Sequence, residues 1–379
     1  MNIYDTLDQF IEKLITKSTP ESPLWHIEKS IGSKKIQWNY IDGCMTTSLV
    51  ALYKQTKNEK YLNFLKSWTD FYINDDGTIK GYDFTHYSTD DASQSRILFD
   101  LYEITKDPKL VKAIHHTYKQ IDGQPRTKEG NFWHKLIYPN QVWLDGLYMM
   151  HPFYVRYETM FNNKKGYSDT INQFENVRRL MFDVNKKLYY HCYDESRKMF
   201  WCNKDTGLSP HFWLRATGWY VAALSDVAFY MDDLKGKTYL KGLLKETIDG
   251  LLLYQDKDSK MFWQIVDLAG KEKNYLETSG SLLIAYSILK ATNNNLLPKS
   301  YQKIGLDIFE SVCKLRLTNN DGDLNLEGIC LVAGLGPENN LRRDGTYEYY
   351  MSEPIVKNDA KGVGPLVMTY VEALISKSK

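Results

Sequence analysis

The chain has 379 residues, 43 % apolar and 25 % charged, a balance that excludes disordered and fibrous architectures. Its 48 basic and 47 acidic side chains give a formal charge of +1, so there is no overall electrostatic footprint for nucleic acid or an anionic membrane. The start, Met1-Asn2-Ile3-Tyr4-Asp5, lacks a secretory pattern, no apolar run approaches the roughly 20 residues that span a bilayer, and the five cysteines show no CxxC spacing.

A cytoplasmic protein without membrane contact, disulfide framework or zinc knuckle is therefore expected. Helical periodicity then runs along the chain. Residues 4–17 read as an amphipathic helix, whereas 44–53 carry no charge, as suits a helix buried on every side. Tyr61, Leu65, Trp68 and Tyr72 follow at i, i+4, i+7 and i+11 with charges between them, which predicts one solvated face. The alternation continues with buried helices near 91–105, 146–155, 218–224, 279–289 and 363–371. Amphipathic helices fall between them near 108–121, 165–183, 238–255 and 299–316.

A weak repeat marks the turns. Leu52-Tyr53-Lys54-Gln55-Thr56-Lys57-Asn58 resembles Leu101-Tyr102-Glu103-Ile104-Thr105-Lys106-Asp107, each closing a buried helix before an amphipathic one. Six such hairpins predict an all-α fold, an (α/α)6 barrel, in which the N-terminal amphipathic helix pairs with the C-terminal apolar one. An open solenoid shares the local signal, but inner helices starting at 44, 91, 146, 218, 279 and 363 are unevenly spaced for one. No Pro/Gly/Ser-rich linker divides the chain, so residues 1–379 are expected to form one domain.

Connections after the inner helices are short. Those before them are long and contain strand-like patches at 187–193, 198–202 and 260–266. Function is expected at that elaborated end of the barrel. The densest constellation there is FWHKLIYPNQVWLDGLYMMHPF (132–153), with His134 and Lys135 in a loop and Trp143 and Asp145 opening an uncharged helix. A plain helix-capping role for Asp145 is the competing explanation. Tyr40, Asp90 with Asp91, Arg215 with Trp219, Glu277 to Ser279, and Asn358, Asp359 and Lys361 open other inner helices at the same end. Convergent carboxylates, an arginine and tryptophans read as a sugar-acid site. His191 sits in a strand-like segment and reads equally as a surface hairpin histidine. No phosphate-binding glycine loop, metal-ligand spacing or GxSxG elbow is present, so no cofactor or metal is expected.

The stretch 132–153, SPHFWLRATGWY (209–220), YLETSGS (275–281) and KNDAKGVGPLVMTYVEA (357–373) resemble the unsaturated rhamnogalacturonyl hydrolases of glycoside hydrolase family 105, and more distantly the unsaturated glucuronyl hydrolases. The resemblance runs from Trp38 to Glu372 and implies the same (α/α)6 barrel. It implies that Asp145 is the catalytic acid/base and that Asp90, His134, Lys135, His191, Arg215 and Trp219 line the sugar site, with Tyr40 and Trp143 nearby. Asp91-Ala92-Ser93-Gln94 departs from the family's Asn-Pro-Gly-like turn, so either Asp90 or Asp91 could be the second carboxylate, with Asp90 favoured by register. His211 and Thr217 also depart from the pattern. The implied partner is a small oligosaccharide ending in an unsaturated uronic acid, bound by a monomer or weak oligomer.

On this reading, Trp143 and the second carboxylate raise the pKa of Asp145, and Arg215 pairs with the substrate carboxylate. Two other readings of the same residues compete with it. An epimerase or conventional glycosidase on the same barrel would depend on His134 or His191 more than on Asp145, or would turn over a saturated sugar. A non-catalytic sugar-binding protein would bind unsaturated oligosaccharides without consuming them.

Overall fold

The computed structural model describes residues 3–32, 37–320 and 322–378. Met1, Asn2 and the other remaining positions of the expected 1–379 domain lie outside the described residues. Each of the twelve segments expected to be helical contains a helix. They are α1 (Ile3–Thr16), α2 (Tyr40–Thr56), α3 (Glu59–Tyr72), α4 (Ile97–Thr105), α5 (Pro108–Gly123), α6 (Leu144–Phe161), α7 (Tyr167–Met181), α8 (Leu214–Tyr230), α9 (Leu234–Leu252), α10 (Thr278–Asn293), α11 (Gln302–Arg316) and α12 (Ala360–Ser378). The even-numbered helices form the inner ring: α2 meets α4, α6 packs on the segment leading into α4, and α8, α10 and α12 follow in order until α12 returns to α2. The odd-numbered helices form the outer layer, and α1 covers α12 through Tyr370, whose hydroxyl donates to Asp8 at 2.8 Å. The result is a closed (α/α)6 barrel rather than an open solenoid.

Local chemistry explains the repeated corner. In both copies the threonine hydroxyl, Thr56 or Thr105, donates to the carbonyl of Leu52 or Leu101 at 2.8 Å. The next residue, Lys57 or Lys106, turns left-handed with φ of 58° or 59°. Asn58 and Asp107 then cap the following helices by accepting from Lys60 and Lys109 N–H.

Two expectations change. The helix expected over 91–105 is broken into Thr89–Ser93, a 3-10 turn at Gln94–Arg96, and α4. There Arg96 Nε and Nη2 take the carbonyl and hydroxyl of Ser93 at 3.1 and 2.7 Å, diverting an acceptor that a continuous helix uses. The patch at 198–202 is a turn rather than a strand, because the Asp194 carboxylate captures the N–H groups of Lys198 and Met199 at 2.9 and 3.0 Å. Strand pairs do form at the elaborated end, among them Gln141–Trp143 with Cys192–Asp194 and Phe262–Trp263 with Leu276–Glu277. Among the described residues no helix is long and apolar enough to cross a membrane. All five cysteines are free and buried.

Candidate active site

The antiparallel pairing of Gln141–Trp143 with Cys192–Asp194 sets Trp143 opposite Cys192. Leu144 N–H donates to the His191 carbonyl at 3.1 Å, and α6 begins at that residue. Asp145, in the first turn, therefore meets His191: its Oδ2 lies 3.3 Å from His191 Nε2. The two atoms are close without hydrogen-bond alignment, and neither has another partner among the described residues. Trp143 rather than Asp145 occupies the N-cap position, and no side chain caps the helix. The capping explanation for Asp145 thus fails. His191 is completely buried rather than on a surface hairpin, and its Nδ1 is 2.7 Å from the Tyr350 hydroxyl.

Asp145 opens onto a cavity of about 170 Å³ that Tyr40, Asp90, His134, Lys135 and Trp143 also line. Asp90 Oδ2 is 2.5 Å from Lys135 Nζ, and its Oδ1 is 3.5 Å from His134 Nε2. Asp91 lies off the cavity wall, where burial, opposed by Lys135, pushes its carboxyl up to about 6. His134 stacks on Trp143 with ring centroids 4.7 Å apart and shares a 3.0 Å hydrogen bond with Thr89 Oγ1. Burial lowers its pKa to about 4, so the ring is neutral near pH 7.

Arg215 and Trp219 are placed differently from expectation. Arg215 is 1 % exposed and donates through Nη1 to the Cys330 carbonyl, with Leu331 O and Ser279 Oγ each at 3.4 Å. It fastens the segment that forms one wall instead of facing the cavity. Trp219 is buried against Tyr148, with centroids 4.7 Å apart. Glu277 is a helix cap, accepting from Ser279, Gly280 and Cys330 N–H groups. Lys361 is consumed by Asp359 and Glu28 at 3.0 and 2.7 Å.

The electrostatics of Asp145 also depart from expectation. Burial raises its pKa, but the adjacent His191, with help from His134, more than offsets this and holds it below the ordinary carboxylate value. The histidines, rather than Trp143 and Asp90, decide the sign. Near pH 7 Asp145 is therefore a carboxylate.

The cavity takes further wall residues that the sequence reading passed over: Glu28, Tyr138, Met149, Val332, Ala333 and Arg343. Arg343 and Tyr350 belong to one stretch, and its composition is the available signal: Arg342-Arg343-Asp344-Gly345 followed by Tyr347, Tyr349 and Tyr350. Among the described residues no group of three or more His, Cys, Asp or Glu is arranged to hold a metal ion. A second cavity, about 250 Å³, lies at the opposite end of the inner helices. On its wall Arg156 pairs with Asp100 at 2.6 Å and Lys290 with Asp226 at 2.8 Å.

Residues 11–377 match the family described as Glycosyl Hydrolase Family 88. The chain is 36 % identical over 229 residues to Protein Atu3128 of Agrobacterium fabrum, covering 59 % of this chain and 97 % of that protein. It is 25 % identical over 283 residues to the unsaturated rhamnogalacturonyl hydrolase YesR of Bacillus subtilis, covering 73 % and 76 % of the two chains. A solved family 105 glycoside hydrolase from C. acetobutylicum superposes with a TM-score of 0.87 at 40 % identity, covering 95 % of this chain and 98 % of the other.

Proposed function

The chain belongs to glycosyl hydrolase family 88 and groups with the glycoside hydrolases of family 105, and from this premise we propose that it is an unsaturated rhamnogalacturonyl hydrolase. Its substrate is the 4,5-unsaturated galacturonyl residue at the non-reducing end of rhamnogalacturonan oligosaccharides. The observation that carries this reading is the Asp145–His191 pair on the wall of a cavity that also holds Trp143 and a second carboxylate, Asp90. Similarity to the Bacillus subtilis protein supports a pectin-derived substrate.

The ring oxygen makes the double bond an enol ether, with electron density pushed to C4. Asp145 in its acid form donates a proton to C4, and positive charge develops at C5 and the ring oxygen. The resulting carboxylate accepts a proton from the water that adds at C5, which restores the acid. The hemiketal so formed opens and the neighbouring sugar departs, for a net consumption of one water. Because the substrate adds its own negative charge and expels water, binding shifts Asp145 from carboxylate towards acid. This is hydration rather than displacement at the anomeric carbon, so the carboxylate spacing of ordinary glycosidases does not apply.

The test follows the ultraviolet absorbance of the conjugated alkene in an unsaturated galacturonyl–rhamnose disaccharide. Wild type should abolish it, and Asp145→Asn should do so at least ~100-fold more slowly. Near-normal turnover by the Asn variant would remove Asp145 from the chemistry. Turnover confined to unsaturated glucuronyl sugars would move the substrate, and turnover of saturated glycosides alone would move the reaction.

A further inference from the structure

Resting on the hydrolase reading above, we propose that Arg343 binds the carboxylate of the terminal unsaturated uronyl residue and so sets the preference for an acid sugar. Among the described residues four cations stand in or behind the cavity wall, and three are already committed. Lys135 Nζ is 2.5 Å from Asp90. Lys361 is fully buried between Asp359 and Glu28. Arg215 is spent on the Cys330 and Leu331 carbonyls. Arg343 lines the cavity and is half-buried, and among the described residues its guanidinium has no carboxylate partner, although its neighbour Arg342 pairs with Glu353 at 3.0 Å. The carboxylates of the wall also have near neighbours: Glu28 shares Lys361 with Asp359, Asp90 pairs with Lys135, and Asp145 lies beside His191. Among the described residues, an incoming carboxylate thus finds in Arg343 a cation of the wall without a carboxylate partner.

The loop holds that cation in place. Gly336 N–H donates to the Arg343 carbonyl at 2.8 Å, and Trp201 Nε1 donates to the Gly336 carbonyl at 3.1 Å. A Cβ at Gly334 would lie 3.1 Å from the Trp143 ring and 3.4 Å from Arg343 Nη1. Indole and guanidinium therefore flank the same glycine, on the wall that Trp143 shares with Asp145. In the substrate the carboxylate is conjugated with the double bond and coplanar with it, a shape that the planar guanidinium fork matches with two parallel hydrogen bonds.

The experiment compares wild type, Arg343→Gln and Arg343→Lys on three sugars. These are the unsaturated disaccharide, the same disaccharide with its carboxylate reduced to a primary alcohol, and the tetrasaccharide carrying a second uronate. Arg343→Gln should raise KM for the acid disaccharide about 10- to 100-fold with kcat within about threefold, leave the reduced sugar unaffected, and be partly rescued by Lys. An unchanged KM for the acid disaccharide, or an equal loss on the reduced one, overturns the assignment. A loss confined to the tetrasaccharide also overturns it, since the internal uronate is then the ligand. Wild type that consumes none of the three overturns the hydrolase reading instead. Calorimetric binding of the acid disaccharide to wild type and Arg343→Gln then decides the carboxylate site on its own.

Discussion

His191 bridges Tyr350 and Asp145, with Nδ1 2.7 Å from the tyrosine hydroxyl and Nε2 3.3 Å from the carboxylate. A carboxylate only accepts, so in the neutral ring the proton belongs on Nε2, and Nδ1 then accepts from the Tyr350 hydroxyl. Tyr350 therefore fixes the tautomer that keeps the ring proton on Nε2, the nitrogen next to Asp145. Tyr350→Phe frees the ring to carry its proton on Nδ1 and removes part of what depresses the Asp145 pKa. The pKa of Asp145 should rise, moving the corresponding limb of the kcat/KM profile to higher pH, and kcat should fall about 10-fold. An unmoved profile with reduced activity would leave Tyr350 a packing residue only.

Legibility from sequence follows the range of the interactions. The helices were readable because apolar periodicity is local, and the Thr-Lys-Asn/Asp corner was readable because its hydroxyl, left-handed lysine and cap lie within seven positions. The break before α4 was not, since it turns on Arg96 recapturing Ser93 acceptors. The role of Tyr350 is not legible in the sequence, because its partner His191 is 159 positions away. Arg215 was placed at the right end of the barrel, but its charge faces carbonyls that a distant strand brings there. The sign of the Asp145 shift depended on the same kind of contact, a histidine delivered by a strand register.

Buried histidines predict an acid-labile fold. His151 is enclosed by Phe132, Tyr154 and Phe174, and burial lowers its pKa to about 4 from 6.5. Between those values the unfolded chain binds a proton that the folded one refuses, so stability falls as pH drops from 6.5 towards 4. The loss is on the order of 3 kcal/mol for this residue. Asp91, raised to about 6, works the other way, losing stability as pH climbs from 3.8 to 6. Urea unfolding of His151→Gln should show a gap to wild type that narrows from pH 7 to pH 4.5. A gap constant with pH would mean that His151 takes up its proton in the fold as readily as in the unfolded chain.

Arg215 should behave as a structural cation. Arg215→Met leaves the Cys330 and Leu331 carbonyls without their buried donor, at a cost of about 2–3 kcal/mol in urea unfolding. Any rise in KM should be the same for the acid disaccharide and its carboxyl-reduced form, because the wall loosens without losing a substrate contact. A loss specific to the acid sugar, with stability unchanged, would return Arg215 to the role read from the sequence.

The seam that closes the barrel lies between α2 and α12, and Gly364 sits on it. A Cβ there would lie 2.7 Å from the Cys44 carbonyl oxygen and 2.8 Å from its carbon, backbone atoms that no rotamer change can move aside. Replacing a helical glycine by alanine normally gains about 1 kcal/mol through lost chain entropy in the unfolded state. At Gly364 the overlap should reverse the sign and cost about 1–3 kcal/mol as the two inner helices separate. Gly242 on α9 provides the control, because a Cβ there meets nothing within 4 Å. Gly242→Ala should therefore raise the urea midpoint while Gly364→Ala lowers it. If both variants gain stability, α2 and α12 can spread without penalty, and the close approach at Cys44 contributes nothing to holding the ring shut.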